Sequence, residues 1–176
     1  MSTLLVRNAK MLLTMQDDRM VIEDGAIFVR DHVIEQAGTT AELPDSADRV
    51  IDASGMVLLP GLINTHHHLY QTLTRALPGA QNAKLFDWLV RLYPVWGELT
   101  DEANDVSSRI GFAELIKTGC TTVADHLYLY PNDVALDTNI RAAAEMGVRF
   151  HPTRGSMSLG RSKGGLPPDH VVQDED

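Results

Sequence analysis

The segment Val57-Leu58-Leu59-Pro60-Gly61-Leu62-Ile63-Asn64-Thr65-His66-His67-His68 constrains this chain more than any other. An apolar run of strand character ends in a His-x-His pair, His66 and His68. Strand side chains alternate between faces, so residues two apart point the same way. Two imidazoles side by side at the end of a buried strand form half of a metal site. His67 would face away from its neighbours and is the poorest candidate ligand of the three. A catalytic zinc normally takes three protein ligands and a water, so the pair alone leaves a site incomplete. The competing reading is a histidine run in a loop. The position of the run, directly behind an apolar strand and a Pro-Gly pair, favours the metal.

The surrounding pattern predicts an α/β fold in two parts. Residues 1–60 read as short, partly alternating strands: Leu4 to Arg7, Met11 to Met15, Ala26 to Arg30, Val33 to Ala37 and Val50 to Asp52. Asp24-Gly25, Asp31-His32 and Gly38 lie between them as turn signals. That predicts a small antiparallel sheet, half of a β-sandwich. From Gly61 the rhythm changes. Gly61 to His66 reads as a strand, and Leu85, Trp88, Leu89, Leu92 and Trp96 follow at helical spacing around Pro94. A second helix starts at Thr100, an N-cap with Asp101 and Glu102 in its first turn, and its expected apolar face includes Val106, Ile110 and Ala113. Gly119 marks its end. Cys120 to Ala124 is a β-branched strand ending in Asp125-His126, Asn132 to Glu145 a helix stopped by Gly147, and Val148 to His151 a third strand. Strand and helix in alternation predict a parallel sheet. Gly155 to Pro168 reads as a long loop. The stretch to Asp176 adds no further element where a βα unit should continue, so the expectation is the N-terminal part of a longer protein.

Composition removes several function classes. The chain has 176 residues, 44% of them apolar and 22% charged, as a soluble domain with a core requires. Its formal charge of −9 repels phosphate backbones, so nucleic acid is not an expected partner. The lone cysteine, Cys120, permits no intrachain disulfide and suits a reducing cytoplasm, where it would pack as a small apolar residue. No signal peptide is visible at Met1 to Asn8, and no apolar run approaches the ~18 residues of a membrane helix.

The motifs carry a resemblance. Pro60-Gly61-Leu62-Ile63-Asn64-Thr65-His66-His67-His68-Leu69 resembles the first barrel strand of the amidohydrolase superfamily. The likeness continues through Leu85-Phe86-Asp87-Trp88-Leu89, through Glu114 to Asp125, and through Arg154-Gly155-Ser156. The strings are similar to the branch holding guanine-, cytosine- and adenosine-type deaminases and triazine hydrolases. Ala124-Asp125-His126-Leu127-Tyr128 and Thr153 to Ser158 sit nearest to its 8-oxoguanine-deaminating members. The resemblance implies a (β/α)8 barrel beside a small β-domain. Residues 1–60 would be a segment of the small domain, and residues 61–176 the first part of the barrel, about three βα units of eight. It implies one divalent metal ion, zinc by preference, held by His66 and His68. The other ligands in that family, a histidine after strand five and an aspartate after strand eight, are absent here. So are the proton-handling glutamate near strand five and histidine after strand six. No catalytic acid or base is therefore expected within this chain.

Four residues become candidate substrate contacts on the same grounds. Gln71 follows His68 by three positions, where related deaminases use a glutamine against the substrate ring; otherwise it is a solvated helix-start residue. Trp88 lies on the segment that covers the barrel mouth in this family, or packs with Leu85 and Leu92. His126 ends the second strand and Arg154 follows the third, and barrel enzymes place their chemistry at such strand ends. His126 could equally be a capped structural histidine, and Arg154 a partner of Asp125 or Glu114. Asp125 reads as structural. The implied activity is a metal-dependent aminohydrolase acting on an aromatic C–NH2 carbon, with 8-oxoguanine giving urate and ammonia. Guanine- or cytosine-type substrates, pterins and hydroxytriazines are the neighbouring options. A non-catalytic barrel fragment or binding module is the alternative of a different class. The partner is a small heterocycle, with no membrane, and a homo-oligomer is expected of the full-length protein.

Overall fold

The computed structural model describes residues 1–17 and 19–174; Glu175 and Asp176, the end of the expected terminal stretch, lie outside the described residues. Contacts divide the chain into two units, Met1–Pro60 and Gly61–Asp176.

In the first unit, two of the expected strands are one. β1 runs Thr3–Leu13 without a break, because its register shifts between Val6 and Ala9 instead of ending there. Asn8 absorbs the irregularity at φ 60°, a left-handed conformation that asparagine tolerates better than most residues. β2 (Val21–Arg30) pairs antiparallel with β1, and β3 (Val33–Thr39) antiparallel with β2. β4 (Arg49–Asp52) and β5 (Val57–Leu58) then pair parallel to β1. The antiparallel sandwich half expected from the sequence is thus one mixed sheet among the described residues. Alternation identifies a strand but not its direction, which the connection decides. The tight turn at Asp31-His32 reverses the chain, whereas the longer passage from Thr40 to Asp48 carries it to the far edge and returns it in the direction of β1. Leu5, Ala26, Phe28 and Leu43 form one small core, and Val6, Ala9 and Ala53 another.

The second unit is a three-stranded parallel sheet in the order β6 (Leu62–Asn64), β7 (Cys120–Leu127), β8 (Arg149–Arg154). β6 stops at Asn64, earlier than the expected strand through His66. Helices α1 (Leu85–Trp96) and α2 (Asp101–Lys117) separate β6 from β7, and α3 (Leu136–Met146) separates β7 from β8. Thr100 caps α2, its side chain accepting the Ala103 amide at 3.1 Å. Gly147 ends α3 in the left-handed conformation at φ 73°.

The buried face of α2 is not the apolar one expected. Val106 and Ile110 are exposed, and the buried residues are Asn104, Ser107, Ser108, Gly111 and Phe112. Close approach explains this choice. A Cβ on Gly111 would lie 2.6 Å from Leu69 Cδ2, so glycine lets α2 and the turn after His68 approach closely. Ser107 Oγ donates to the Leu69 carbonyl at 2.7 Å on the same face. Towards α3, Asn104 Nδ2 donates to Asn139 Oδ1 at 2.7 Å and Asn139 Nδ2 to Ser108 Oγ at 3.0 Å. Leu69, Phe112, Cys120, Val123, Ala142, Ala143 and Val148 fill the core between sheet and helices. A second cluster centres on Trp96, Leu92, Tyr70 and Leu127. Among the described residues no helix is long and apolar enough to cross a membrane.

Candidate metal and substrate site

The segment between Asn64 and the short helical turn Leu69–Thr74 has no regular structure of its own. The end of β7 holds it instead. The His126 amide donates to the His67 carbonyl at 3.0 Å, and Asp125 Oδ1 accepts the Leu69 amide at 2.7 Å. His68 Nδ1 lies 2.8 Å from the His126 carbonyl oxygen. A carbonyl only accepts, so Nδ1 carries the proton. That fixes the tautomer and leaves the Nε2 lone pair of His68 free to bind a cation.

His66 and His68 stand with ring centroids 5.2 Å apart, edge to face. They line a cleft of about 220 Å³ together with Thr65, His67, Ala124, Asp125, His126 and Thr153. Burial holds the His68 imidazole below its ordinary pKa, against the opposing bond to the His126 carbonyl. Neutral imidazole is the form that ligates a metal. The His67 ring turns to the helix side: a Cβ on Gly111 would lie 3.7 Å from its Cε1. Its buried Nδ1 has no hydrogen-bond partner among the described residues, and burial, with the His68 and Arg75 charges, lowers its pKa as well. Among the described residues no group of three or more His, Cys, Asp or Glu side chains is arranged to hold an ion. The chemistry of the donor pair nonetheless fits a divalent cation: two imidazoles abreast, one with its far nitrogen set by a main-chain carbonyl.

Of the four expected substrate contacts, His126 lines the cleft. Its ring is exposed, 5.5 Å from that of His68, and stacks against Tyr128 at 5.2 Å. Gly155 makes room for it: a Cβ there would fall 2.2 Å from His126 Nε2 and 2.7 Å from Tyr128 Cβ. The other three do not line the cleft. Gln71 Nε2 donates to the Tyr70 hydroxyl at 3.0 Å. Trp88 packs on Trp96, ring centroids 5.2 Å apart. The Arg154 guanidinium lies 4.6 Å from the Tyr130 ring centroid and donates to the Gly155 carbonyl at 3.0 Å and to Gln173 Oε1 at 2.9 Å. Neither carboxylate considered for Arg154 is its partner. Glu114 takes both terminal nitrogens of Arg75, at 2.6 and 2.8 Å, and Asp125 is turned to Leu69.

Sequence reasoning missed two aromatic residues and undervalued one acid. Tyr128 lies 5.3 Å from the His68 ring and 5.5 Å from that of Tyr70, which in turn meets Trp96 at 5.4 Å. Period-two alternation continued past β7 would have found Tyr128, since it follows His126 by two. Asp125 is 2% exposed, and burial pushes its carboxyl up to about 6 although the Leu69 and His126 amides oppose the rise.

The family model described as "Amidohydrolase family" matches residues 57–175. The chain is 46% identical over 157 residues to an 8-oxoguanine deaminase of Pseudomonas aeruginosa, covering 88% of this chain and 34% of that protein. It is 32% identical to the hydroxydechloroatrazine ethylaminohydrolase of Pseudomonas sp. strain ADP, covering 100% of this chain and 39% of the relative. The atrazine chlorohydrolase of Arthrobacter aurescens TC1, solved in complex with zinc, superposes with a TM-score of 0.85 at 35% identity, covering 96% of this chain and 39% of that one. The chain therefore spans well under half the length of the relatives it matches.

Proposed function

The chain belongs to the amidohydrolase family, and from that premise we propose that it is the metal-binding N-terminal segment of an aminohydrolase that converts 8-oxoguanine and water to urate and ammonia. The observation that carries the reading is the His68 Nδ1 bond to the His126 carbonyl, which leaves the other imidazole nitrogen free on a residue that lines the cleft beside His66. We read β6, β7 and β8 as the first three strands of a (β/α)8 barrel, with residues 1–60 as part of a small domain. Parallel order, helical crossovers and the likeness to an amidohydrolase structure support this.

His66 and His68 would hold the ion, and the zinc in the atrazine chlorohydrolase structure supports zinc as its identity. Bound there, a zinc ion would lower the pKa of water and so supply the nucleophile for C–N hydrolysis. The rest is the work of this chain's own residues. His68 keeps its proton on Nδ1 and its ring fixed. His126 presents an imidazole at the rim of the cleft, where it can hydrogen-bond a carbonyl of a purine ring. Gly155 leaves the space that ring occupies. Gln71, Trp88 and Arg154 are engaged elsewhere: Gln71 with Tyr70, Trp88 with Trp96, and Arg154 with Gln173.

The 46% identity to an 8-oxoguanine deaminase, against 32% to the triazine enzyme, supports 8-oxoguanine as the substrate. Kinetics of the full-length protein on 8-oxoguanine, guanine and a hydroxytriazine test it. A site built to bond a polar group rejects an analogue that lacks it, so 8-oxoguanine should exceed guanine by well over ~10-fold in kcat/KM. Equal or better turnover of guanine or the triazine would move the substrate to that class.

A further inference from the structure

We propose that Asp125 is a positioning residue for the His-x-His segment: its carboxylate, acting through the Leu69 main chain, sets the direction of the His68 imidazole and thereby the affinity of the site for a divalent cation. The inference rests on reading His66 and His68 as metal ligands.

β6 ends at Asn64, so no ladder of its own fixes residues 65–68. Three hydrogen bonds from the end of β7 replace that ladder. Two of them use the main chain of His126, its amide to the His67 carbonyl and its carbonyl from His68 Nδ1, and survive any side-chain change there. The third belongs to a side chain, Asp125 Oδ1, bonded at 2.7 Å to the peptide nitrogen that follows His68. The rest of Leu69 is already locked, its carbonyl by Ser107 Oγ and its side chain against Gly111. The His68–Leu69 peptide itself has two holds: its carbonyl accepts the Gln71 amide at 2.9 Å within the turn, and its N–H, through Asp125, is tied to the end of β7. A site that binds metal well must hold its ligands to within ~0.5 Å.

The cost of this carboxylate argues for a purpose beyond packing. Asp125 is 2% exposed, and among the described residues its buried Oδ2 has no hydrogen-bond partner. A position that only filled space would hold an apolar residue with less penalty.

The test uses the full-length protein, stripped of metal and titrated with zinc against a chromophoric chelator, with cobalt absorption as a second reading of ligand geometry. Asp125→Ala should weaken zinc binding by ~10–100-fold, the usual effect of losing an outer partner of a ligand, and alter the cobalt bands. Asp125→Asn keeps an oxygen acceptor for the Leu69 amide and should stay within about 3-fold of the parent. Parent-like zinc affinity and cobalt bands in Asp125→Ala would overturn the proposal, and so would equal loss in both variants. His68→Ala separates the two readings: if it too binds zinc like the parent, the ligand assignment fails; if it alone loses zinc, only the role of Asp125 fails. Should Asp125→Ala not fold, hydrogen exchange on the unsubstituted protein decides. The Leu69 amide should exchange as slowly as the ladder amides of β7, and exchange at the solvent-exposed rate would overturn the proposal.

Discussion

His68 Nδ1 donates to the main-chain carbonyl of His126 at 2.8 Å, while the His126 side chain stands apart in the cleft. Backbone and side chain of one residue thus serve separate ends. His126→Ala in the full-length protein should leave zinc affinity within about 3-fold of the parent, because the carbonyl remains. The same variant should lose ~10-fold or more in kcat/KM for the purine, the scale of one lost polar contact. Zinc titration and steady-state kinetics on one preparation check both halves. A collapse of zinc binding would mean that the ring, rather than the carbonyl, supports the metal.

Gly155 offers a steric test of the same ring. A methyl group there would meet His126 Nε2 at 2.2 Å and Tyr128 Cβ at 2.7 Å, and the second contact cannot be relieved by a flexible chain end. Gly155→Ala should cost about 1–3 kcal/mol of stability by overpacking. It should also lower kcat/KM at unchanged metal content, as His126 is pushed from its position. Thermal melts with kinetics check this; parent-like values in both would show that the loop simply moves aside.

Asp125 makes stability depend on pH in a defined sense. Its folded carboxyl lies at about 6, above an ordinary value of 3.8, because burial disfavours the charge. Between those values the native state binds the proton that the unfolded state has released. Stability from this group is therefore fully present below about 4 and is lost as pH rises through about 6. The contribution is on the order of 2–3 kcal/mol, from about 1.4 kcal/mol for each tenfold change in proton affinity. Asp125→Asn should flatten that part of the pH profile of denaturant unfolding. An unchanged slope between pH 4 and 6 in the variant would count against a raised carboxyl.

Much of the fold was legible because its signals are local. The His-x-His pair, the i, i+3, i+4 pattern from Leu85 to Trp96, the Thr100 cap and the Gly147 stop each appear where the structure has them. What escaped depends on contacts distant in sequence. Val106 and Ile110 looked like a core face because apolar spacing was the criterion, yet α2 buries Ser107 and Gly111, whose small size lets it meet the turn at Leu69. β4 and β5 run parallel to β1 for reasons that lie in the connection, not in the strands. Asp125 looked structural because its partner, the Leu69 amide, is 56 residues away. Arg154 looked available because Tyr130 and Gln173 could not be seen to take its guanidinium.

The measurement that tests the account most directly is zinc content per molecule, by elemental analysis, in full-length His66→Ala, His67→Ala and His68→Ala. His66 and His68 face the cleft side by side, and the His67 ring turns towards Gly111. The account predicts that the first and third variants lose most of their zinc and their activity, and that the second keeps most of its zinc. Parent-like zinc in His66→Ala or His68→Ala would contradict it.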